Sequence, residues 1–172
     1  TVKSIRNIGF TTIFTVSAFT CILYSAACNK NNCGSFNCQN GGTCTNDTCV
    51  CPTGYTGNNC QNAWSTQYLG TYKCTQVCTP AVTSNSWTST ITQDATNGGY
   101  TLDISRFGNI NLTVVANIVD NNGHITLTAS STTTNTITGS GTLVVNGSTT
   151  TLTINYSTGT GGSACTITMI KQ

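Results

Sequence analysis

The sequence predicts an all-β protein in two parts. A small disulfide-rich module comes first. An antiparallel β-domain follows, read as an up-and-down barrel with a β-sandwich as the alternative. Three observations predict this. Six of the 11 cysteines crowd into the stretch from Cys33 to Cys60. From Tyr68 onward apolar residues recur at every second position, the spacing of half-buried strands. No stretch after Tyr24 combines helical periodicity with helix-forming residues.

The first segment, 1–27, reads as a secretion signal. Lys3 and Arg6 supply a positive start, Ile8 to Tyr24 is apolar or small, and Ser25-Ala26-Ala27 precedes Cys28. Small residues before a cysteine resemble the bacterial lipobox, although Ser25 stands where leucine is usual. The resemblance implies that Cys28 is lipidated and becomes the mature N-terminus, with 28–32 as a tether. Two other readings stay open: ordinary cleavage after Ala27, and an uncleaved anchor, since Ile8–Tyr24 is nearly long enough to span a bilayer. Cysteine parity favours the lipid. With Cys21 removed, six of the remaining cysteines belong to the module, Cys74, Cys78 and Cys165 lie downstream, and a lipidated Cys28 needs no disulfide partner.

The module, 33–60, has the spacing C-x4-C-x5-C-x4-C-x-C-x8-C. Such a short stretch cannot bury enough apolar surface to fold, so crosslinks must hold it, and the compartment must be oxidising. Spacing alone leaves fifteen connectivities open. Zinc ligation is disfavoured, because zinc sites use close cysteine pairs with distant partners and the one histidine, His124, lies far away. Gln39-Asn40-Gly41-Gly42-Thr43-Cys44 places a glycine turn where backbones would cross. Cys51-Pro52-Thr53-Gly54-Tyr55-Thr56-Gly57-Asn58-Asn59-Cys60 sets turn residues around one aromatic. These segments resemble the x-N-G-G-x-C and G-[FYW]-x-G-x-x-C signatures of the EGF-like domain. The resemblance implies the pairs Cys33–Cys44, Cys38–Cys49 and Cys51–Cys60. It implies no calcium site, because Asn29-Lys30-Asn31-Asn32 offers no carboxylate where calcium-binding members carry acids, and calcium prefers charged oxygens.

A linker, 61–67, leads to the β-domain, 68–172. Trp64 in this linker is expected to pack the module against the β-domain, and Trp87 to enter the core in step with Ile91. Leu112, Val114, Ala116 and Ile118 alternate with polar or smaller neighbours, Asp120-Asn121-Asn122-Gly123 turns, and Ile125, Leu127 and Ala129 alternate again. A second hairpin joins Leu143–Val145 to Leu152–Tyr156 across Asn146-Gly147. Tyr68–Val77, Trp87–Thr92, Tyr100–Ser105 and Cys165–Lys171 complete about eight strands. In a closed barrel the first and last strands pair. Cys165 then lies beside Cys78, and Cys74 falls opposite Met169 as a buried thiol. Cys74 and Cys78 cannot bridge each other, because four residues of strand span about 13 Å. A Cys78–Cys165 bridge stabilises by about 4 kcal/mol in the loop-entropy model.

Leu69-Gly70-Thr71-Tyr72 in the first strand and Lys171 in the last are similar to the lipocalin-like (calycin) arrangement, with Tyr72 in place of its tryptophan. Together with the lipobox, the chain resembles small lipocalin-like lipoproteins of Bacteroidetes. The resemblance implies a barrel that holds a small apolar ligand among Tyr72, Leu102, Val114, Leu127, Leu143, Ile154 and Ile167.

Composition limits the chemistry. Charged residues make up 6% of the chain, against about a quarter usually. Without Lys3 and Arg6, four bases face four acids, so nucleic-acid binding has no electrostatic basis. Threonine, serine and asparagine must keep the surface wet. His124 sits in a turn, Asp94 and Asp103 bracket Gly98-Gly99, and no Ser-His-Asp or Cys-His set can be assembled. Neither glycine cluster precedes a helix, so neither is a phosphate loop. The expectation is a non-enzymatic protein with no cofactor and no metal. It sits lipid-anchored on a bacterial outer membrane or cell surface, or is secreted, and it binds a protein or glycan partner. The alternative function is carriage of the apolar ligand.

Overall fold

The computed structural model describes residues 33–35, 37–80, 82–95, 98–131, 136–159 and 162–172. The signal segment, Cys28 and the tether lie outside these residues.

The module contains two ribbons. β1 (Thr43–Thr45) pairs with β2 (Thr48–Val50) across Asn46-Asp47, both at positive φ, as a tight hairpin requires. β3 (Tyr55–Thr56) pairs with β4 (Asn62–Ala63). Bridges join Cys33 to Cys44, Cys38 to Cys49 and Cys51 to Cys60, the pairs that the resemblance implies. Gly42 lies where a Cβ would come within 2.7 Å of Cys60 Sγ, so only glycine fits that crossing. Asn40 Nδ2 donates to the Cys60 carbonyl at 2.8 Å and ties the turn to the last bridge.

The segment 61–67 is structured rather than loose. Its Asn62–Ala63 belongs to the β3–β4 ribbon, and Trp64–Gln67 forms a single 3-10 turn. Ser65 is buried, and its hydroxyl bonds Gln93 Oε1 at 3.1 Å. Gly54 and Gly99 bring module and β-domain into backbone contact. A Cβ on Gly99 would sit 2.6 Å from the Gly54 carbonyl oxygen, and Tyr55 and Tyr100 flank the junction. Trp64 packs partly buried against the barrel core.

The β-domain is a closed eight-stranded antiparallel barrel. Its strands are β5 (Gly70–Thr79), β6 (Val82–Gln93), β7 (Thr101–Ile104), β8 (Val114–Ile118), β9 (His124–Ser131), β10 (Thr136–Asn146), β11 (Thr149–Thr158) and β12 (Ala164–Lys171). They follow one another round the wall, and β12 pairs back onto β5. A sandwich would leave open edges, and this sheet has none. The β12–β5 register sets Cys165 opposite Cys78 and Met169 opposite Cys74. Cys78 and Cys165 are bridged, and Cys74 is a buried free thiol.

Alternation explains the core. Inward side chains on β5 are Tyr72, Cys74, Gln76 and Cys78, while the residues between them are exposed. Ile91, Leu102, Ile104, Val114, Ile125, Leu152, Ile154 and Ile167 join them in one apolar cluster. Burying each such side chain stabilises the fold by roughly 1.5–3 kcal/mol. Tyr68 closes the end of the barrel nearest the module. Phe107 closes the other end, carried on a turn in which Arg106, Gly108 and Asn109 all take positive φ. Its ring meets Tyr156 edge-on at 4.8 Å.

Several strands are longer than their apolar alternation predicts, and β11 runs Thr149–Thr158 where Leu152–Tyr156 was expected. β6 starts at Val82 rather than Trp87, and β10 at Thr136 rather than Leu143. Trp87 is nevertheless in the core, in step with Ile91.

Candidate binding groove on the barrel wall

The seven side chains expected to line a ligand cavity do face the barrel interior. Tyr72, Leu102, Val114, Leu127, Leu143, Ile154 and Ile167 are all at most 6% exposed and belong to the same core. Tyr68, Tyr72, Phe107 and Met169 are among the largest fully buried side chains and fill much of that interior. Tyr72 donates to the Tyr68 carbonyl at 2.7 Å, and burial pushes its phenol up to about 12.

Ser65, Gln76, Ser89 and Thr101 are the buried polar side chains among the described residues. Gln76 is buried beside the Cys78–Cys165 bridge, receives the Tyr156 hydroxyl on Oε1 at 3.0 Å, and points Nε2 at Cys78 Sγ at 3.1 Å. Burial raises the Tyr156 phenol above its ordinary range. Hydrogen bonding satisfies Gln76 without a charge, as a buried amide requires.

A concavity lies outside the barrel. A shallow groove of about 500 Å3 crosses the outer face of β10, β11, β12 and β5 near the Phe107 end. None of the seven interior residues lines it. Strand register builds it in two rows. One row reads Ser140, Asn155, Thr166, Val77, and the next reads Thr138, Ser157, Ala164, Thr79. These outward positions are set by alternation with Gly139, Tyr156, Cys165 and Cys78 on the inner face.

Two glycines mark β10 beside the groove. Gly139 and Gly141 take inward places on β10, opposite Tyr156 and Ile154. A Cβ on Gly139 would run into the Asn155 carbonyl oxygen and the Tyr156 backbone. Lacking one, β10 lies close on β11, beside a register shift between Ile137 and Gly139 against β9. The groove crosses the outer face at this irregularity.

The groove's side chains are ordered by one another. Thr166 donates to Asn155 Oδ1 at 2.7 Å, which leaves the Asn155 amide hydrogens for other acceptors. Thr138 and Ser157 hydroxyls lie 3.4 Å apart. No lining residue is ionisable, apart from the buried Tyr156 and the bridged Cys165, whose side chains point inward.

The remaining candidates scatter. His124 opens β9, exposed, with Nδ1 2.8 Å from Asp120 Oδ2. That hydrogen bond first, and backbone N–H groups of Asn122 and His124 after it, hold the Asp120 carboxyl below its ordinary range. The pair staples the β8–β9 turn. Asp103 pairs with Thr92 in the β6–β7 register, so Asp94 and Asp103 do not oppose each other. Lys171 Nζ reaches the Gln67 carbonyl at 3.4 Å, and its stem lies on Gly70. No cluster of three or more His, Cys, Asp or Glu that could hold a metal occurs among the described residues. Sequence reasoning missed Gln76, Phe107 and the groove. Gln76 was legible as the polar member of the Tyr72–Cys78 alternation. The groove was not, because register alone brings its rows together.

No family model matches the chain, and no curated protein or solved structure matches it.

Proposed function

We propose that the chain is a non-enzymatic, lipid-anchored envelope protein. In this reading an EGF-like module and a lipocalin-like barrel present a binding surface to a protein or glycan partner. The observation that carries the reading is the placement of space: side chains crowd the barrel interior, while the groove of about 500 Å3 lies on the outer wall. A carrier of apolar molecules needs the reverse, an enclosed apolar volume of several hundred Å3. The lipobox-like Ser25-Ala26-Ala27-Cys28 supports the anchor, and the module then acts as a stapled spacer between lipid and barrel.

Two measurements test this. Mass spectrometry of the mature N-terminus is expected to show a diacylglycerol-modified Cys28, and an unmodified Cys28 removes the anchor. Titration with a fluorescent fatty acid is expected to show no stoichiometric uptake. One-to-one uptake quenched through the buried tryptophan Trp87 overturns the surface reading in favour of the carrier.

A further inference from the structure

We infer that the groove over β10, β11, β12 and β5 is a binding site for an uncharged glycan chain. The inference rests on the surface-binding reading and names the partner of that surface.

The chemistry of the lining selects the ligand. Thr79, Thr138, Ser140 and Ser157 offer hydroxyls that donate and accept, Thr166 offers its oxygen as an acceptor, and Asn155 adds its amide hydrogens. Val77, 58% exposed, and Ala164 set methyl groups among them. A pyranose ring presents the complementary pattern: hydroxyls around its rim, each donor and acceptor, and C–H groups on its faces. Among the described residues no lysine or arginine lines the groove, so a phosphate, sulfate or uronate would lose water without gaining a counter-charge. Nucleic acid is disfavoured on the same ground. A protein partner would be anchored by aromatic or arginine side chains buried in a deep pocket, and this groove is shallow.

The site is also pre-ordered. Its side chains stand on four hydrogen-bonded strands, about 4.8 Å apart across the sheet and about 6.8 Å apart along each strand. The Thr166–Asn155 bond fixes the amide before any ligand arrives. Side chains already held lose little freedom on binding, which suits a ligand whose individual hydrogen bonds are weak. A volume of about 500 Å3 falls within the range of small-molecule sites. A groove that is open to solvent lets a longer chain run on past it.

The test is a glycan array of neutral glucans, mannans and xylans beside sulfated and uronic-acid polymers. It is probed with the purified protein and with Asn155→Lys, Ala164→Tyr and Thr166→Val. Ala164→Tyr fills the groove, and Thr166→Val keeps the side-chain shape while removing the hydroxyl that holds Asn155. The expected result is retention on at least one neutral glycan. Binding should weaken at least tenfold in Asn155→Lys and Ala164→Tyr, and several-fold in Thr166→Val, with unfolding temperatures unchanged. If Asn155→Lys or Ala164→Tyr unfolds, the Thr166→Val result decides. Neutral-glycan binding that survives the folded variants overturns the groove assignment and leaves the surface-binding function standing. Retention on anionic polymers alone, or on no glycan, overturns the ligand class. The fatty-acid titration fails or succeeds independently and judges the function itself.

Discussion

Cys74 shows how far one residue can be read before folding is known. Its position in step with Tyr72 and Cys78 made it inward-facing, and closure of the barrel set it opposite Met169. Burial pushes its thiol up to about 11, with a backbone hydrogen bond from Ser89 opposing in part. We therefore expect Ellman's reagent at pH 8 to find no thiol in native Cys21→Ser/Cys28→Ser protein and one after denaturation. The same burial shapes alkaline stability. A folded-state value above the ordinary one leaves stability intact below the ordinary value, and the unfolded chain ionises first as pH rises. Cys74 loses its contribution between 9.0 and about 11, and Tyr72 between 10.0 and about 12. The urea midpoint of the same protein is expected to fall across pH 9–11, and to fall less in Cys74→Ala, which has no thiol to ionise. Gln76 was less legible: a polar residue between two cysteines gives no hint that the Tyr156 hydroxyl, eighty positions away, will donate to it.

β10 shows why element boundaries were harder to read than element existence. A strand announces itself through apolar residues on its buried side. In β10 that side reads Ile137, Gly139, Gly141, Leu143, so its middle carries no apolar signal and only Leu143–Val145 was read as strand. The glycines that hid the strand also let it lie close on β11. A Gly139→Val substitution forces a side chain against the Asn155 carbonyl and the Tyr156 backbone. The expected cost is about 1–3 kcal/mol in chemical denaturation, the usual penalty for overpacking. Displacement of β10 from β11 should also weaken glycan retention at the groove. A substitution that left both stability and retention unchanged would show that the close approach does not depend on glycine. β6 hides its first half differently: Val82-Thr83-Ser84-Asn85-Ser86 has almost no apolar period, and pairing with β5 defines it.

At the scale of the whole molecule, the sequence made closure the economical answer, since eight short strands with polar outer faces need either two sheets or a cylinder. The β12–β5 pairing decides it, and Cys78–Cys165 locks that seam. Closing a loop of 87 positions removes much entropy from the denatured chain, so the Cys78→Ala/Cys165→Ala double variant is expected to lose about 4 kcal/mol in urea unfolding. Its far-ultraviolet circular dichroism should be unchanged, because the seam keeps its ladder of backbone hydrogen bonds. A loss below about 1 kcal/mol would mean that the seam is held together in the denatured chain as well. The junction of Gly54 with Gly99 has a separate outcome. It fixes the module to the end of the barrel where β5 begins, whereas the groove lies where β5 ends, at Thr79. Nine residues of strand separate the two, about 30 Å when extended. Backbone-to-backbone contact joins the two there, so module and barrel work as a bracket: whatever holds the module also sets the height and heading at which the groove meets its surroundings.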